Sequence, residues 1–382
     1  MIERGVKMSE NKRETSGNGE IDVTTLDLEQ TEEVTDKKCP RCSATVEYDP
    51  ATRGMLCKFC GYRKTLPTPE SGQSVSEIDF SQAETTESFN WGAEKKVVIC
   101  KNCGGEEIYD ALQTAAVCSF CGSTSVMPAA DEKSIAPGGV CPFIVPVDKA
   151  GGLFSKWLGG KIFTPKKAKL QARPESFKGI YLPYWTFDAM TSSAFSGRAG
   201  YDKMVKRGDQ TVLVTDWKPV SGVYQEFFND YTVVGTDKSE NSLVGRAEPF
   251  DFSQLVPYRP ELLAGFGAER YSIGLKDAWM KAQEGIRGIL YGKISQYICS
   301  VWRANRSDSV AFSTQFSRIT FKYILLPVWL SSFTYKGKLY QFVVNGQTGR
   351  VGGKAPVSAL RVIIAIIIVL AILGLLGFLM SL

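Results

Sequence analysis

The sequence predicts an α+β protein in which two small cysteine-rich β modules precede an antiparallel-sheet domain, and one apolar helix follows it. Three observations lead to this prediction. Four Cys-x-x-Cys pairs fall in two matched sets, a strand-like segment occurs twice, and 19 successive residues near the end carry no charged or strongly polar side chain. The composition, 44% hydrophobic and 22% charged, is typical of a globular chain with two or three domains.

Two segments are predicted to lack a fold of their own. Residues 1–36 form an acidic tail with few large apolar side chains, too few to offset the entropy of ordering, and we expect it to be disordered. Residues 65–94 are rich in Thr, Ser, Glu and Pro and predict a flexible linker. The tail has no apolar signal sequence, so we expect a reducing compartment, where ten cysteines indicate metal binding before disulfides.

Two zinc ribbons are predicted, at residues 37–64 and 95–127. In each, 14 residues separate two Cys-x-x-Cys pairs, and the second set repeats the first at an offset of 61. Tetrahedral Zn²⁺ takes four thiolates at about 2.3 Å, and two such knuckles can meet across a short β-hairpin. Redox and iron–sulfur chemistry are the alternatives, although a redox motif predicts one pair and not four. The eight predicted ligands of two structural Zn²⁺ ions are Cys39, Cys42, Cys57, Cys60, Cys100, Cys103, Cys118 and Cys121.

The first ribbon (ribbon 1) is basic and the second (ribbon 2) is balanced in charge. Seven Lys and Arg residues of ribbon 1 face only Glu47 and Asp49. With Tyr48, Phe59 and Tyr62, this surface could contact phosphates and stack a base. The alternative is a solvated charged face that serves the ribbon's own fold or docks a protein.

The body, residues 138–357, is predicted to be an α+β domain made of duplicated half-domains. The segment FKGIYLPYW at 177–185 recurs as FKYILLPVW at 321–329. Each copy is rich in β-forming residues and carries a proline that suits an edge strand or a strand start. Alternating apolar and polar runs after each copy predict antiparallel strands. A coincidental match is the alternative.

One long helix is predicted between the two copies, over residues 273–302. Its apolar residues keep a 3.6-residue period for some eight turns, so one side should cover a sheet. Gly285, Gly288 and Gly292 lie near one another on this helix. We expect them to let another backbone approach closely, at a cost of about 1 kcal/mol each in helix propensity.

A basic segment with interleaved apolar residues spans residues 149–178. Eight Lys or Arg residues face one acid, Glu175. Such a helix can lie on an anionic membrane surface. The alternative is a helix whose aromatic side packs on the sheet while its lysines face water. The apolar residues at near-helical spacing are Phe154, Trp157, Leu158, Ile162 and Phe163.

The apolar stretch at 361–380 is predicted to be a transmembrane helix. At 1.5 Å per residue, its length matches the roughly 30 Å hydrocarbon core of a bilayer. Arg350, Lys354 and Arg361 precede its apolar residues, which begin at Val362, and two residues follow the helix. By the positive-inside rule we expect a tail-anchored, single-pass protein of the cell membrane, with the bulk of the chain in the cytoplasm.

Several motifs together resemble a known bacterial family. The paired ribbons, YLPYWTFD at 181–188, LAGFGAERY at 263–271, LPVW at 326–329 and VNGQTG at 344–349 before an apolar tail are similar to membrane-anchored proteins described as TFIIB-type zinc ribbon-containing. The resemblance covers residues 36–382. Some relatives are named as primosomal helicases, but this chain lacks the GxxxxGK[ST] phosphate loop. The resemblance implies a role in the envelope-stress response.

A non-enzymatic adaptor is the function that these residues favour. The chain has no histidine, which excludes Ser-His-Asp and Cys-His nucleophiles and histidine-liganded catalytic metals. Cys141 and Cys299 are expected to be core residues, and no spacing pairs Asp188, Glu248 or Glu269. We therefore expect the zinc ribbons to recruit a protein partner to the membrane through the α+β scaffold. The alternatives are a membrane-tethered nucleic-acid-binding protein that uses ribbon 1 and an enzyme of unknown type.

Overall fold

The computed structural model describes residues 38–66, 75–82, 95–100, 106–110, 126–128, 136–171, 177–208, 210–236 and 245–381. The predicted acidic tail lies outside them. The helices are α1 (Val147–Gly159), α2 (Lys166–Gln171), α3 (Leu275–Val301) and α4 (Ala359–Ser381). The strands are β1 (Glu47–Asp49), β2 (Gly54–Leu56), β3 (Arg63–Thr65), β4 (Ile78–Asp79), β5 (Lys95–Cys100), β6 (Glu106–Asp110), β7 (Val126–Pro128), β8 (Gly139–Val140), β9 (Lys178–Arg207), β10 (Gln210–Val234), β11 (Val256–Pro257), β12 (Gly267–Glu269), β13 (Arg306–Tyr335), β14 (Lys338–Asn345) and β15 (Val351–Gly353).

Two sheets organise the described strands, and the larger is built on β9 and β13. β1, β2 and β3 form a small antiparallel sheet. The large sheet runs in the order β11-β8-β13-β9-β12-β6-β5-β7, with β10 on β9 and with β14 and β4 on β13. Its pairings are antiparallel except those of β12 with β9 and of β8 with β13. The prediction of an α+β fold rich in antiparallel sheet is confirmed.

The repeated sequence segment forms the central seam of this sheet. β9 and β13 pair antiparallel, and Leu182 lies opposite Leu326, its counterpart in the repeat. Ile180 pairs in parallel with β12, and the equivalent Ile324 pairs in parallel with β8. Each half runs from a short strand through a helix into a long strand and its hairpin partner, so the two halves share the same order of elements.

The two tryptophans of the repeat make the same hydrogen bond. Trp185 Nε1 donates to Ile273 O at 2.9 Å, and Trp329 Nε1 donates to Val145 O at 2.8 Å. Each acceptor lies between the short strand and the helix of one half. Burying an indole is favourable when its N–H finds a partner, so each bond fixes the approach of a helix to the sheet.

Different parts of the chain cover the two faces of the sheet. α1 and α3 lie on one face, where Phe154 packs 4.3 Å from Phe342 and Trp279 packs 5.2 Å from Phe187 between ring centroids. A loop that includes Phe250 covers the other face at the seam. The buried Asn345 holds this loop, because its side-chain amide donates to the carbonyls of residues 247 and 249 at 3.0 and 3.2 Å.

α3 confirms the helix predicted from its apolar period. The buried side lies against β9, β10 and β13 and includes Ala278, Ala282, Ile286, Leu290, Ile294 and Ile298.

The expected close backbone approach at the α3 glycines is absent from the described contacts. A Cβ on Gly285 would meet the hydroxyl of Tyr231, which is a side chain, and a Cβ on Gly288 or Gly292 would meet nothing within 4 Å. That prediction was wrong because two of the three glycines lie away from the packed side of the helix.

The basic segment divides between the core and the surface. Phe154 and Leu158 of α1 are buried and Trp157 packs on Phe342. This agrees with the alternative in which the aromatic side of the helix packs on the sheet. Burial of each of Phe154 and Leu158 stabilises the domain by about 1.5–3 kcal/mol. Ile162, beyond the end of α1, is instead 77% exposed.

Residues 75–82, in the middle of the predicted linker, pack against the sheet. Ile78 of β4 pairs with Phe321 of β13, and the ring of Phe80 lies 5.8 Å from that of Trp279. The linker is therefore fixed to the domain at its centre, and the residues on either side of this piece lie outside the described ones.

Among the described residues, α4 is the one helix long and apolar enough to cross a membrane. Residues Ala359–Leu376 have a mean hydropathy of 3.0, and none of them is buried. Its first turn is bonded to the loop between α1 and α2. Arg361 donates to Ile162 O at 2.8 Å and to Thr164 O at 2.9 Å.

Candidate metal centre

Four cysteines of ribbon 1 come together at one end of the small sheet. The first Cys-x-x-Cys pair precedes β1 and the second lies between β2 and β3. β1 and β2 pair from Glu47↔Leu56 to Asp49↔Gly54, so this hairpin brings the two knuckles side by side. The sequence predicted this arrangement from the spacing alone.

The two knuckles have the same backbone geometry. Cys39 accepts a bond from Ser43 N at 2.8 Å, and Cys57 accepts one from Gly61 N at 3.0 Å. The amides of the same two cysteines donate to residues 44 and 62 at 2.7 and 2.8 Å. Ser43 and Gly61 have φ values of 60° and 71°, in the left-handed region that such a turn requires.

The four sulfur atoms fit a tetrahedral metal ion. Cys39 Sγ lies 3.4 Å from Cys60 Sγ, Cys42 Sγ lies 3.5 Å from Cys57 Sγ, and all four lie within 4.8 Å of one another. Sulfurs held about 2.3 Å from a central ion would be roughly 3.8 Å apart, so small shifts would close the site. The cluster can therefore hold a metal ion.

The backbone favours thiolate at one cysteine, while crowding opposes it at another. The Cys60 amide bonds the sulfur of Cys57 and lowers the pKa of that thiol to about 7. The Ala44 amide lowers the pKa of Cys42, but local desolvation within the sulfur cluster and the bonds with the neighbouring thiols outweigh it and raise this pKa to about 12. Four adjacent thiols cannot all ionise unless a cation balances them, which is what a bound metal ion supplies.

Ribbon 1 is docked on the large domain by Tyr48. This residue is 4% exposed; its amide donates to Ala264 O at 3.0 Å, and its hydroxyl donates to Phe143 O at 3.2 Å. Its ring lies 6.4 Å from that of Phe266. Burial raises the pKa of Tyr48 to about 12. The tyrosine that could have stacked a base is therefore part of the interface between ribbon and domain.

The knuckle tips, which include Cys42, Phe59 and Cys60, form the outer side of the candidate metal centre. Cys39 and Cys57 are buried, whereas Cys42 and Cys60 are exposed. Phe59 is 83% exposed, and Lys58 Nζ lies 2.5 Å from Glu47 Oε2. In each Cys-x-x-Cys pair the first cysteine thus faces the domain and the second faces solvent.

The second predicted metal site lies almost entirely outside the described residues. Cys100 ends β5, and Cys103, Cys118 and Cys121 are not described. The strands around them do extend the large sheet. β5 pairs with β6 and β7, and β6 pairs with β12 at Ala268.

A charged cluster that sequence reasoning did not find lies where the long strands bulge. Carboxylate oxygens of Glu77, Asp188 and Asp230 are within 4.8 Å of one another. Lys322 Nζ lies 2.6 Å from Asp230 Oδ1 and also pairs with Glu77. Lys322 supplies a positive charge that balances these carboxylates. We therefore assign the cluster a structural role in the sheet.

The other carboxylates and thiols singled out in the sequence have separate partners. Glu248 accepts from Tyr184 at 3.1 Å, and Glu269 accepts from Thr236 at 2.9 Å. Cys141 is buried, and burial raises its pKa to about 12, so it remains a protonated core residue at neutral pH. Cys299 is half-buried on α3.

No protein-family model and no solved structure matches this chain. The chain is similar to the uncharacterized protein YdjG of Bacillus subtilis (strain 168), with 28% identity over 335 residues. The match covers 85% of this chain and 91% of YdjG. It therefore extends through most of both chains and is not confined to a single module.

Proposed function

We propose that this protein is a membrane-anchored zinc-ribbon adaptor whose cytoplasmic body recruits a protein partner. One observation carries the proposal. The metal centre is packed onto a domain that is itself bonded to the start of α4, while the knuckle tips face solvent. A surface held in this way has a fixed position relative to the anchor, which suits recruitment.

Zinc is the metal that we propose for both ribbons. Four thiolates in a tetrahedral arrangement are the usual ligands of structural Zn²⁺, and a closed site leaves no position for a substrate. The same spacing in Cys100, Cys103, Cys118 and Cys121 supports a second ion. Both ions would stabilise the fold and would take no part in chemistry.

The cytoplasmic placement is supported by the charges that precede the apolar residues of α4. Arg350, Lys354 and Arg361 lie within the short segment that leads into the span, and cytoplasmic flanks carry such an excess of Lys and Arg. A reducing compartment would also keep the ribbon cysteines available to metal.

A protein partner is favoured over nucleic acid by the state of the ribbon 1 side chains. Tyr48 is buried, Lys58 is paired with Glu47, and Arg41 lies over the ring of Tyr62 at 5.6 Å. An exposed Phe59 remains, and a solvent-exposed aromatic side chain is a common anchor of protein interfaces. Nucleic-acid binding through ribbon 1 is therefore the second candidate.

A non-enzymatic role is also part of the proposal. An open groove of about 590 Å³ beside α3 is lined by Lys293 and Cys299, among others. Lys293 Nζ is bonded to Glu226 at 2.8 Å, so the cation of the groove is already paired. The resemblance to TFIIB-type zinc ribbon-containing proteins, and with it a role in envelope stress, belongs to the same proposal.

The test places a photo-crosslinking amino acid at Phe59 of the full chain in intact membranes. We expect one dominant protein adduct that is absent when the crosslinker replaces Met204, which is 71% exposed on β9. If the same set of protein adducts formed at Phe59 and at Met204, the proposed adaptor function would be contradicted.

Fluorescence anisotropy of the full chain in nanodiscs distinguishes the second candidate. Binding to DNA or RNA that falls about a thousandfold between roughly 50 and 200 mM salt would indicate several phosphate contacts. If the double variant Arg41→Glu, Lys58→Glu abolished that binding, ribbon 1 would be a nucleic-acid tether and the adaptor would be wrong.

A further inference from the structure

Three large apolar side chains are exposed close to the start of α4. Ile162 is 77% exposed, Phe163 40% and Leu170 80%. They lie in the loop between α1 and α2 and on α2 itself. Together with the neighbouring lysines they form a surface that we call the juxtamembrane patch, made of Lys161, Ile162, Phe163, Lys166, Lys167 and Leu170.

The position of the juxtamembrane patch relative to α4 is set by three hydrogen bonds to main-chain carbonyls of the loop. Ser358 N donates to Phe163 O at 2.9 Å. Arg361 donates to the carbonyls on both sides of that residue, Ile162 O and Thr164 O. These three bonds hold the patch beside the point at which α4 would enter a bilayer.

The apolar residues of the juxtamembrane patch are exposed although the residues around them are well packed. α1 already packs Phe154 and Leu158 into the domain, and Ala168 of α2 is buried. Thr164, between the exposed residues, is 1% exposed. The loop is therefore firmly packed from beneath, and the exposed side chains lie on its outer surface.

The two sequence segments that meet at the juxtamembrane patch carry only positive charges. No acidic residue occurs between residues 149 and 171, and none occurs between 309 and 382. Lys161, Lys166 and Lys167 are exposed. A surface that combines exposed Lys residues with Ile, Phe and Leu is complementary to the anionic headgroup region of a membrane, where lysines meet phosphates and apolar side chains reach the acyl boundary.

We propose that the juxtamembrane patch binds anionic phospholipids of the leaflet that α4 enters. This rests on α4 being a membrane anchor, and it depends neither on the zinc sites nor on the recruited partner. The span already holds the patch at the surface, so contact with lipid occurs at a high effective concentration. Lipid contact at a second point would restrict how the domain tilts on its anchor.

The experiment uses the full chain reconstituted in vesicles of phosphatidylcholine alone or with about 30% phosphatidylglycerol, a composition that gives the surface a negative potential. A photo-crosslinking amino acid replaces Leu170, and lipid adducts are counted by mass spectrometry. We expect at least about fivefold more adducts with phosphatidylglycerol than with phosphatidylcholine alone, because each lysine near an anionic surface is worth roughly that factor. The same crosslinker at Met204 should give few adducts in either vesicle.

Charge-reversal variants test whether the lysines select the lipid. Lys161→Glu, Lys166→Glu, Lys167→Glu together should remove the dependence on phosphatidylglycerol. The matched control Lys206→Glu, Arg207→Glu, Lys281→Glu, at three other exposed cations, should keep it.

Three results would overturn the proposal. They are equal adducts at residues 170 and 204, adducts that do not depend on phosphatidylglycerol, and a crosslink to a second protein chain in place of lipid. Alkaline extraction of the same vesicles shows whether α4 is inserted, so a failed anchor is distinguished from a failed patch.

Discussion

Lys322 lies on β13 with 8% of its side chain exposed, and three carboxylates surround it. Burial opposes its charge, but hydrogen bonds to Asp230 and Glu77 outweigh burial and raise the pKa of Lys322 above the ordinary value of 10.5. Removal of one partner from a buried ionic network leaves the other charges uncompensated. No local spacing in the sequence predicts this cluster, because its members come from four distant segments that only the bulged strands bring together.

We predict that Lys322→Met lowers the free energy of unfolding by about 3–5 kcal/mol. The control is Lys203→Met, which removes an exposed pair with Asp216 at 3.0 Å and should cost less than about 1 kcal/mol. Chemical unfolding in detergent measures both variants. Equal losses would show that burial of the lysine does not matter.

The same cluster predicts the sign of a pH effect. Because the folded pKa of Lys322 is raised, its stabilising contribution is complete below the unfolded pKa of about 10.5 and is lost as the pH rises through the folded value. The difference in unfolding free energy between wild type and Lys322→Met should therefore shrink in strongly alkaline solution.

Elements with a local signature were the most predictable. The knuckles of ribbon 1, the apolar period of α3 and the length of α4 each depend on residues close in sequence. How the elements pack was not predictable in the same way. The sequence predicted a flexible linker at residues 65–94, but residues 75–82 are packed on the domain, as is Tyr48 of ribbon 1. Such long-range contacts leave no periodic signal in the sequence.

We predict that Tyr48→Ala releases ribbon 1 from the domain without removing its metal. The loss of a buried aromatic side chain should cost about 3–5 kcal/mol. Hydrogen exchange should then increase in β1 to β3, while the ratio of bound metal to protein stays unchanged. Phe59→Ala, which removes an 83% exposed ring, should leave exchange as it is. Equal exchange in the two variants would contradict docking through Tyr48.

At the scale of the whole molecule, the four-cysteine cluster and the main core are continuous. Cys39 and Cys57 belong to the same buried cluster as Trp185 and Phe321. A closed four-thiolate site supplies folding free energy when it binds its ion. The metal should therefore stabilise the sheet domain as well as the ribbon.

We predict that removal of the metal by a strong chelator lowers the melting temperature of the entire body and not of a separate ribbon transition. The variant Cys57→Ser should behave in the same way without chelator. Cys299→Ser, at a cysteine outside the ribbons, should retain the wild-type response. A two-step melt in which only one step responds to chelation would contradict a shared core.

The pairing of β9 with β13 also determines when the protein can fold during synthesis. Lys178 must find Leu330, and at the other end of the seam Gly200 must find Arg306. At about 5–20 residues per second, a ribosome needs on the order of ten seconds to make the second strand after the first. Throughout that interval one edge of β9 has no partner, and closing so long a loop slows folding further. The nascent chain therefore exposes an unpaired strand edge, a kind of surface that is prone to aggregation, until β13 has been made.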